Sequence, residues 1–225
     1  MSATWAVIVA AGRGDRLGLD RPKAFAGLGG RVLLAESVER LEAADWIESI
    51  VIVAPEGWEE PSILLAEELG AGKVGACVAG GESRAASVRA GMAEVPEEAL
   101  VVLVHDAARP LLPAAVIERV LAPLGDGWDG AAPALPVSDT LKRAAQDGTV
   151  GETIDRSGLY AVQTPQAFLA PVLREAIRGD AEASDCAGLV ERRGGKVKLV
   201  EGDPRLLKVT TAADLAFVES LLVLR

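Results

Sequence analysis

Short apolar runs alternate with longer amphipathic stretches along the chain. Runs of Val, Ile, Ala and Leu without polar alternation predict β-strands that are buried on both faces. Six such runs are Ala6–Val9, Ile50–Val53, Lys73–Val78, Leu100–Val104, Gly130–Ala134 and Lys196–Val200. Apolar residues at helical spacing fill the gaps, over Leu33–Ala43, Ser62–Leu69, Arg84–Ala93, Ala114–Leu121 and Pro171–Ile177. This alternation predicts an α/β fold with a doubly wound, mostly parallel, Rossmann-like sheet.

Residues 136–168 depart from that alternation. The stretch PVSDTLKRAAQDGTVGETIDRSGLYAVQTPQAF has strand-like arms on either side of Asp147-Gly148, a pair typical of hairpin turns. We therefore expect a β-hairpin arm that projects from the core. Near the end of the chain, Thr211 precedes Asp214 by three residues, which resembles a capping box and predicts the start of a last helix.

The composition is that of one globular domain over residues 1–225. Half of the residues are hydrophobic and 4% are aromatic, with neither an internal repeat nor a linker-like tract. A chain of this length can bury roughly 70–75% of its extended-chain surface, so no second domain is required.

Charge and residue counts exclude several classes of function. The formal net charge of -10 argues against a nucleic-acid partner or an anionic membrane partner. The absence of a basic leader and of an apolar run of roughly 18 residues predicts a cytoplasmic protein. Two cysteines outside a CxxC pair give no support for a disulfide framework or a structural zinc site. His105 is the only histidine, and we expect it to be structural.

The loop after the first predicted strand is unusually basic. The stretch WAVIVAAGRGDRLGLDRPKAF fails the dinucleotide fingerprint, because Leu17 stands where the third glycine belongs. It also lacks the Gly-Lys-Ser/Thr of a Walker loop, and Pro22 interrupts any helix there. Clustered cations after a buried strand favour a polyphosphate ligand over a solvated surface loop. These cations are Arg13, Arg16, Arg21 and Lys23.

Four later stretches also follow strands or carry isolated cations. Ligands of open α/β sheets bind beyond the carboxyl ends of the strands. The stretch GGESRAASVRAG at 80–91 is either such a ligand loop or an ordinary strand-to-helix turn. In HDAARP, Asp106 suits Mg²⁺, which needs few carboxylates when it also binds substrate phosphates, although a turn or cap role is the alternative. Arg156 and Lys208 are either ligands of an anion or surface cations.

Taken together, these stretches resemble the 2-C-methyl-D-erythritol 4-phosphate cytidylyltransferase family. The matching motifs run in order from residue 6 to residue 217: VAAGRGDRLG…RPKAF, GGESRAASVRAG, VHDAARP, DTLKR, DRSGLYAVQTPQAF and LKVTTAADL. The Pro-Lys loop is shared with sugar nucleotidyltransferases in general, whereas HDAARP together with QTPQAF is specific to this family. The resemblance implies a nucleotide-diphospho-sugar transferase type of fold.

The resemblance also implies roles for individual residues. The nucleotide CTP is expected at Ala10, Ala11, Gly12, Gly14, Lys23, Gly81, Glu82, Ser87 and Asp106. The methylerythritol phosphate is expected at Arg109, Thr140, Arg156 and Lys208, and Mg²⁺ at Asp106. Catalysis is expected from Arg16, Lys23, Arg156 and Lys208. The arm at 136–168 is expected to form a homodimer and to deliver Arg156 to the site of the partner subunit, the alternative being a monomer whose arm folds over its own pocket.

Two departures from the family pattern concern the substrate pocket. Leu206-Leu207 replaces the usual Asn-Ile before Lys208, and SDCAG at 184–188 replaces a stretch like TDEAS. The expected product is 4-diphosphocytidyl-2-C-methyl-D-erythritol, with pyrophosphate as the leaving group. A cytidylyltransferase for another polyol phosphate, such as ribitol 5-phosphate, and a nucleotide-binding module without turnover are the alternatives.

Overall fold

The computed structural model describes residues 4–12, 14, 17–179 and 182–223. Within these residues the strands are β1 (Thr4–Val9), β2 (Gly27–Leu28), β3 (Arg31–Val32), β4 (Ser49–Ala54), β5 (Val74–Ala79), β6 (Val101–Asp106), β7 (Gly130–Pro136), β8 (Leu141–Ala144), β9 (Val150–Ile154), β10 (Tyr160–Val162), β11 (Gln166–Leu169) and β12 (Val197–Glu201). The helices are α1 (Leu33–Glu42), α2 (Glu59–Glu68), α3 (Arg84–Ala93), α4 (Ala114–Leu121), α5 (Ala170–Ala176), α6 (Cys186–Arg192) and α7 (Ala212–Val223).

The central sheet is built around β1. Among the described strands the order is β10-β7-β11-β6-β1-β4-β5, and β12 adds to β7. β1 pairs in parallel with both β4 and β6, and β4 pairs in parallel with β5. β11 is antiparallel to its neighbours β6 and β7. The predicted Rossmann-like sheet is confirmed, with an antiparallel strand inserted between β6 and β7.

Helices cover both faces of the sheet. Consecutive residues of β1 point to opposite faces, so Ile8 packs with one cluster, which includes Leu34 of α1 and Ile117 of α4. Val7 packs with the other cluster, which includes Val88 of α3 and Leu173 of α5. Burial on both faces explains why the strands are continuous apolar runs rather than alternating ones.

All six predicted strands are present, with ends that differ by a few residues at most. The helix predicted from Ser62 begins earlier, at Glu59, because Pro61 falls in its first turn, where a missing N–H costs no hydrogen bond. The short elements that were not predicted include β10, β11 and α6. β11 directly precedes α5 without a turn between them, so its four residues merge with the helical pattern of the sequence.

The arm predicted at 136–168 projects over only part of that range. The hairpin outside the central sheet consists of β8 and β9, whereas β10 and β11 pair with β7 and β6 in the central sheet, because their residues are needed to extend and bury that sheet. β8 pairs antiparallel with β9, and Gly148 lies between them with a φ of 84°. Val150 at the start of β9 and Tyr160 of β10 are exposed apolar side chains. None of the described helices is long and apolar enough to cross a membrane.

Candidate active site

A cleft of about 570 Å³ opens at the carboxyl ends of β1, β5 and β6. These strands run in the same direction, so the loops that follow them meet at one edge of the sheet. The polar and loop residues that line it include Ala10, Ala11, Gly12, Gly14, Lys23, Gly81, Glu82, Ser83, Arg84, Ser87, Asp106, Lys208 and Thr210. Ten residues that the sequence analysis assigned to nucleotide, metal or substrate therefore share one cleft.

Lys23 lies in the cleft, packed against Gly14. Gly14 has a φ of 77°, and a Cβ there would lie 2.6 Å from the Cβ of Lys23, so only glycine allows this close approach. The Nζ of Lys23 donates a hydrogen bond to the carbonyl oxygen of Val209, at 3.0 Å. This contact brings Lys23 next to Lys208 in the chain that follows β12.

The loop after β5 presents the N-terminus of α3 to the cleft. Ser83 caps the helix by accepting a hydrogen bond from the N–H of Ala86, at 3.1 Å. The hydroxyl of Ser87 accepts from the N–H of Gly81 and donates to the carbonyl oxygen of Ser83. A Cβ on Gly80 would collide with Ala11 and Ser87. This glycine therefore lets the loop after β5 contact the loop after β1. A helix N-terminus in this position favours an anion.

Asp106 lies at the centre of the cleft, at the end of β6. Its Oδ1 contacts the Arg84 guanidinium through Nε at 3.0 Å and Nη2 at 2.9 Å. Its Oδ2 accepts a hydrogen bond from the Nζ of Lys208 at 2.6 Å. Burial alone would raise the pKa of this carboxyl, but the charges of Arg84 and Lys208 outweigh burial and hold the pKa below its usual range. Asp106 is therefore a carboxylate at every physiological pH.

His105 lies on the other side of this strand end and is fully buried. Its Nε2 is 3.1 Å from the carbonyl oxygen of Arg109, and its Nδ1 is 3.3 Å from the hydroxyl of Thr164, which also accepts from the N–H of Asp106. Burial lowers the pKa of His105 to about 4, so the ring is neutral. This geometry agrees with the structural role expected from the sequence.

A metal ion at Asp106 would have a single carboxylate from the protein. Among the described residues, no group of three or more His, Cys, Asp or Glu side chains is placed to hold a metal ion. One strand-end carboxylate fits Mg²⁺ that arrives with a nucleotide, because such an ion takes most of its ligands from phosphates and water. Lys208 occupies Oδ2, so this oxygen must exchange its partner for the ion to bind.

Three predicted substrate residues do not line the cleft. Arg109 donates to the carbonyl oxygens of Leu206 and Val162, at 2.5 and 3.4 Å. Thr140 precedes the arm strand β8, Arg156 follows β9, and both are exposed. Arg16 lies outside the described residues. The cleft thus holds the predicted nucleotide residues and Lys208, without Thr140 and Arg156.

Arg84 is a site residue that the sequence analysis did not single out. It is the first residue of α3 and one of two arginines in the GGESRAASVRAG stretch. The position directly after an N-cap serine at a strand-to-helix turn was the available signal, because a side chain there starts at the mouth of the cleft. Its partner Asp106 lies 22 residues away in sequence, and no local pattern connects the two.

Comparisons with known proteins agree with this geometry. The family model for IspD, 2-C-methyl-D-erythritol 4-phosphate cytidylyltransferase, matches residues 4–223. The enzyme of that name from Nocardia farcinica is 46% identical over 217 residues, which cover 96% of this chain and 93% of the relative. The one from Deinococcus radiodurans is 45% identical, covering 97% of this chain and 89% of the relative. The crystal structure of the enzyme from Thermus thermophilus is similar with a TM-score of 0.80 and 32% identity, covering 99% of this chain and 100% of that one.

Proposed function

The chain belongs to the 2-C-methyl-D-erythritol 4-phosphate cytidylyltransferase family, and from this premise we propose that it transfers the cytidylyl group of CTP to 2-C-methyl-D-erythritol 4-phosphate. A phosphate oxygen of the acceptor attacks the α-phosphorus of CTP, and the bond from this phosphorus to the pyrophosphate oxygen breaks. The products are 4-diphosphocytidyl-2-C-methyl-D-erythritol and pyrophosphate, in the biosynthesis of isoprenoid precursors.

The observation that carries this proposal is the composition of the cleft. Lys23, Lys208 and the N-terminus of α3 bring positive charge to one edge of the sheet in a protein whose net charge is -10. Such a site attracts two anionic substrates that would otherwise repel the protein and each other. The glycine-lined side of the cleft, at Gly12 and Gly81, leaves room for a nucleotide to approach the backbone.

The chemistry needs neither a nucleophilic side chain nor a general base. A phosphate monoester has a second pKa of about 6, so the acceptor is already a dianionic nucleophile near pH 7. The protein has to align the acceptor with the α-phosphorus and to stabilise the charge that develops in the transition state. We assign this stabilisation to Arg16, Lys23 and Lys208.

We propose that Asp106 holds Mg²⁺ together with the phosphates of CTP. The ion supplies neutralisation of the triphosphate charge and of the leaving pyrophosphate. The support from this chain is a buried carboxylate that stays ionised and has one oxygen facing an exchangeable lysine.

Asp106→Asn is expected to raise the Mg²⁺ concentration needed for half-maximal rate, and an unchanged metal dependence would remove Asp106 from the metal site.

We also propose a homodimer in which each arm completes the site of the partner subunit. Thr140 and Arg156 are exposed and lie on the arm rather than at their own subunit's cleft. The arm and the neighbouring edge strand expose Val150, Leu159 and Tyr160, which a partner would cover. A two-stranded hairpin is marginally stable unless it packs on something.

The cytoplasmic location stays a prediction from the sequence.

The test of the proposed activity is the release of pyrophosphate from CTP and Mg²⁺. Release should require 2-C-methyl-D-erythritol 4-phosphate, and it should be much slower with ribitol 5-phosphate or when ATP or GTP replaces CTP. If pyrophosphate is released with ribitol 5-phosphate and not with 2-C-methyl-D-erythritol 4-phosphate, the chain is a cytidylyltransferase for another polyol phosphate. Binding of CTP without turnover for any acceptor would leave only a nucleotide-binding module.

A further inference from the structure

Two cations share Asp106, but they do so in different ways. Arg84 contacts Oδ1 through two nitrogens, and Lys208 contacts Oδ2 through one. The side chain of Asp106 is 8% exposed, that of Arg84 is 19% exposed and that of Lys208 is 40% exposed. One partner is thus enclosed by protein, whereas the other lies open to the cleft.

Arg84 is fixed at both sides of its guanidinium. Its Nη1 lies 3.4 Å from the Sγ of Cys186, the first residue of α6, which is fully buried. The planar fork of an arginine can hold two partners in set directions, which a lysine ammonium on a flexible stem cannot do. The charge of Asp106 and the contact with the Cys186 thiol keep the pKa of Arg84 above its usual value despite burial, so Arg84 stays charged. α3, β6 and α6 are therefore linked through one side chain.

Lys208 is held less firmly, by the hydrogen bond to Asp106, and it follows the short turn at Pro204–Leu206. Its flexible four-carbon stem allows the ammonium to leave Oδ2 while the backbone stays in place. An incoming ligand that competes for Asp106 meets Oδ2 first, because the guanidinium covers Oδ1. The two carboxylate oxygens thus have different tasks.

We infer that Arg84 is a positioning residue: it holds Oδ1 of Asp106 throughout the reaction, so that Oδ2 alone exchanges Lys208 for the ligand that arrives with CTP. This inference rests on the proposed function. It predicts that the effect of Arg84 on nucleotide binding passes through Asp106. A direct contact between Arg84 and the nucleotide is the competing explanation, since Arg84 also lines the cleft.

The test is a double-mutant cycle that conserves charge at position 84. The dissociation constant of CTP in the presence of Mg²⁺ is measured by calorimetry, without an acceptor and hence without turnover, for the wild type, Arg84→Lys, Asp106→Asn and the double variant. Arg84→Lys should weaken binding on the order of 10-fold, since a hydrogen bond to a charged group contributes about 1.5–3 kcal/mol. In the Asp106→Asn background the same change should cost less than about 2-fold, because there is no carboxylate left to position.

An equal loss in both backgrounds would overturn the inference and assign Arg84 to the nucleotide itself. No loss in either background would overturn it as well. Arg119→Lys, at a partly exposed arginine outside the cleft that pairs with Glu201, is the matched control and should bind CTP like the wild type. Near-ultraviolet circular dichroism and the midpoint of thermal unfolding establish that each variant is folded.

A second variant keeps the test decisive if Arg84→Lys does not fold. Cys186→Ala removes the sulfur atom that contacts Arg84, while neither Arg84 nor Asp106 is substituted. It should weaken CTP binding by about 3-fold, with the loss absent in the Asp106→Asn background; an unchanged affinity or an additive loss would overturn the inference. If the wild type itself binds no CTP, the proposed function fails, which is a separate outcome from failure of the cycle.

Discussion

The position of Lys23 depends on a single glycine. Gly14 adopts a φ of 77° and packs directly on the Cβ of Lys23, so the loop presents the ammonium to the cleft. A cation held in advance at the site of developing charge lowers the barrier more than it improves ground-state binding.

We expect Lys23→Met to lower kcat on the order of 100-fold, with a smaller change in KM for CTP. Steady-state kinetics with both substrates measures this split. Lys73→Met is the matched control, because Lys73 donates to the carbonyl oxygens of Glu42 and Ala44 at the opposite end of β5. A loss confined to KM would mean that Lys23 only binds the nucleotide.

Among the secondary-structure elements, most of the central ones could be predicted from apolar patterns. The central strands are buried on both faces, and this condition produces uninterrupted apolar runs in the sequence, such as Ile50–Val53. β11 and α6 could not be predicted in the same way. Their positions depend on Gln166, whose side chain bonds Asp185 and the N–H groups at the start of α6, and such a tertiary contact leaves no periodic signal.

Among the site residues, too, some could be predicted from local sequence and others could not. Asp106 and Lys23 could be predicted because they lie at or after the carboxyl ends of strands, where ligands of this fold class bind. Asp106 pairs with Arg84, which is 22 residues away in sequence, and with Lys208, which is 102 residues away. No local sequence pattern could predict these pairs, and only the folded chain shows them. The roles of the arm residues Thr140 and Arg156 come from family resemblance, and they stay predictions.

The capping box of α7 gives a stability prediction. The N–H of Asp214 donates to the hydroxyl of Thr211, and its carboxylate accepts from Thr210 and from the N–H of Thr211. Asp214→Ala should reduce the free energy of unfolding by about 1 kcal/mol, and Asp214→Asn by less, because the amide oxygen can still accept. Urea denaturation measures both, and equal stability of Asp214→Ala and the wild type would show that the cap does not stabilise the fold.

The pH dependence of this cap has a defined sign. Hydrogen bonds from Thr210 lower the pKa of Asp214 from 3.8 to about 2. The carboxylate therefore contributes its full stabilisation above pH 4 and loses it as the pH falls toward 2. The difference in stability between the wild type and Asp214→Ala should narrow over this interval.

For the whole molecule, the proposed mechanism requires two copies of the chain for each pair of active sites. A cyclic dimer with shared sites contains two equivalent clefts, each with Lys23 from one subunit and Arg156 from the other. Inactive Lys23→Met and inactive Arg156→Met chains are mixed and allowed to exchange subunits. Half of the dimers are then mixed, each has one site with both native residues, and activity should return to about a quarter of that of the wild type.

The control for this experiment is a chain that carries both substitutions. Mixed with either single variant, it should restore no activity, because no dimer then contains a complete site. Subunit exchange is verified independently by mass spectrometry of an isotope-labelled partner. Absence of recovery after verified exchange would place Arg156 in the site of its own subunit.

The proposed function depends above all on one step, the attack of an acceptor phosphate oxygen on the α-phosphorus of CTP in this cleft. An isotope experiment measures it, with 2-C-methyl-D-erythritol 4-phosphate in which the three terminal phosphate oxygens are ¹⁸O, and ³¹P NMR and mass spectrometry of both products. We predict that all three labelled oxygens stay in the 4-diphosphocytidyl product, one of them as the bridge between the two phosphorus atoms, and that the pyrophosphate is unlabelled. Label in the pyrophosphate, or pyrophosphate formed without the labelled diphosphate product, would contradict this step.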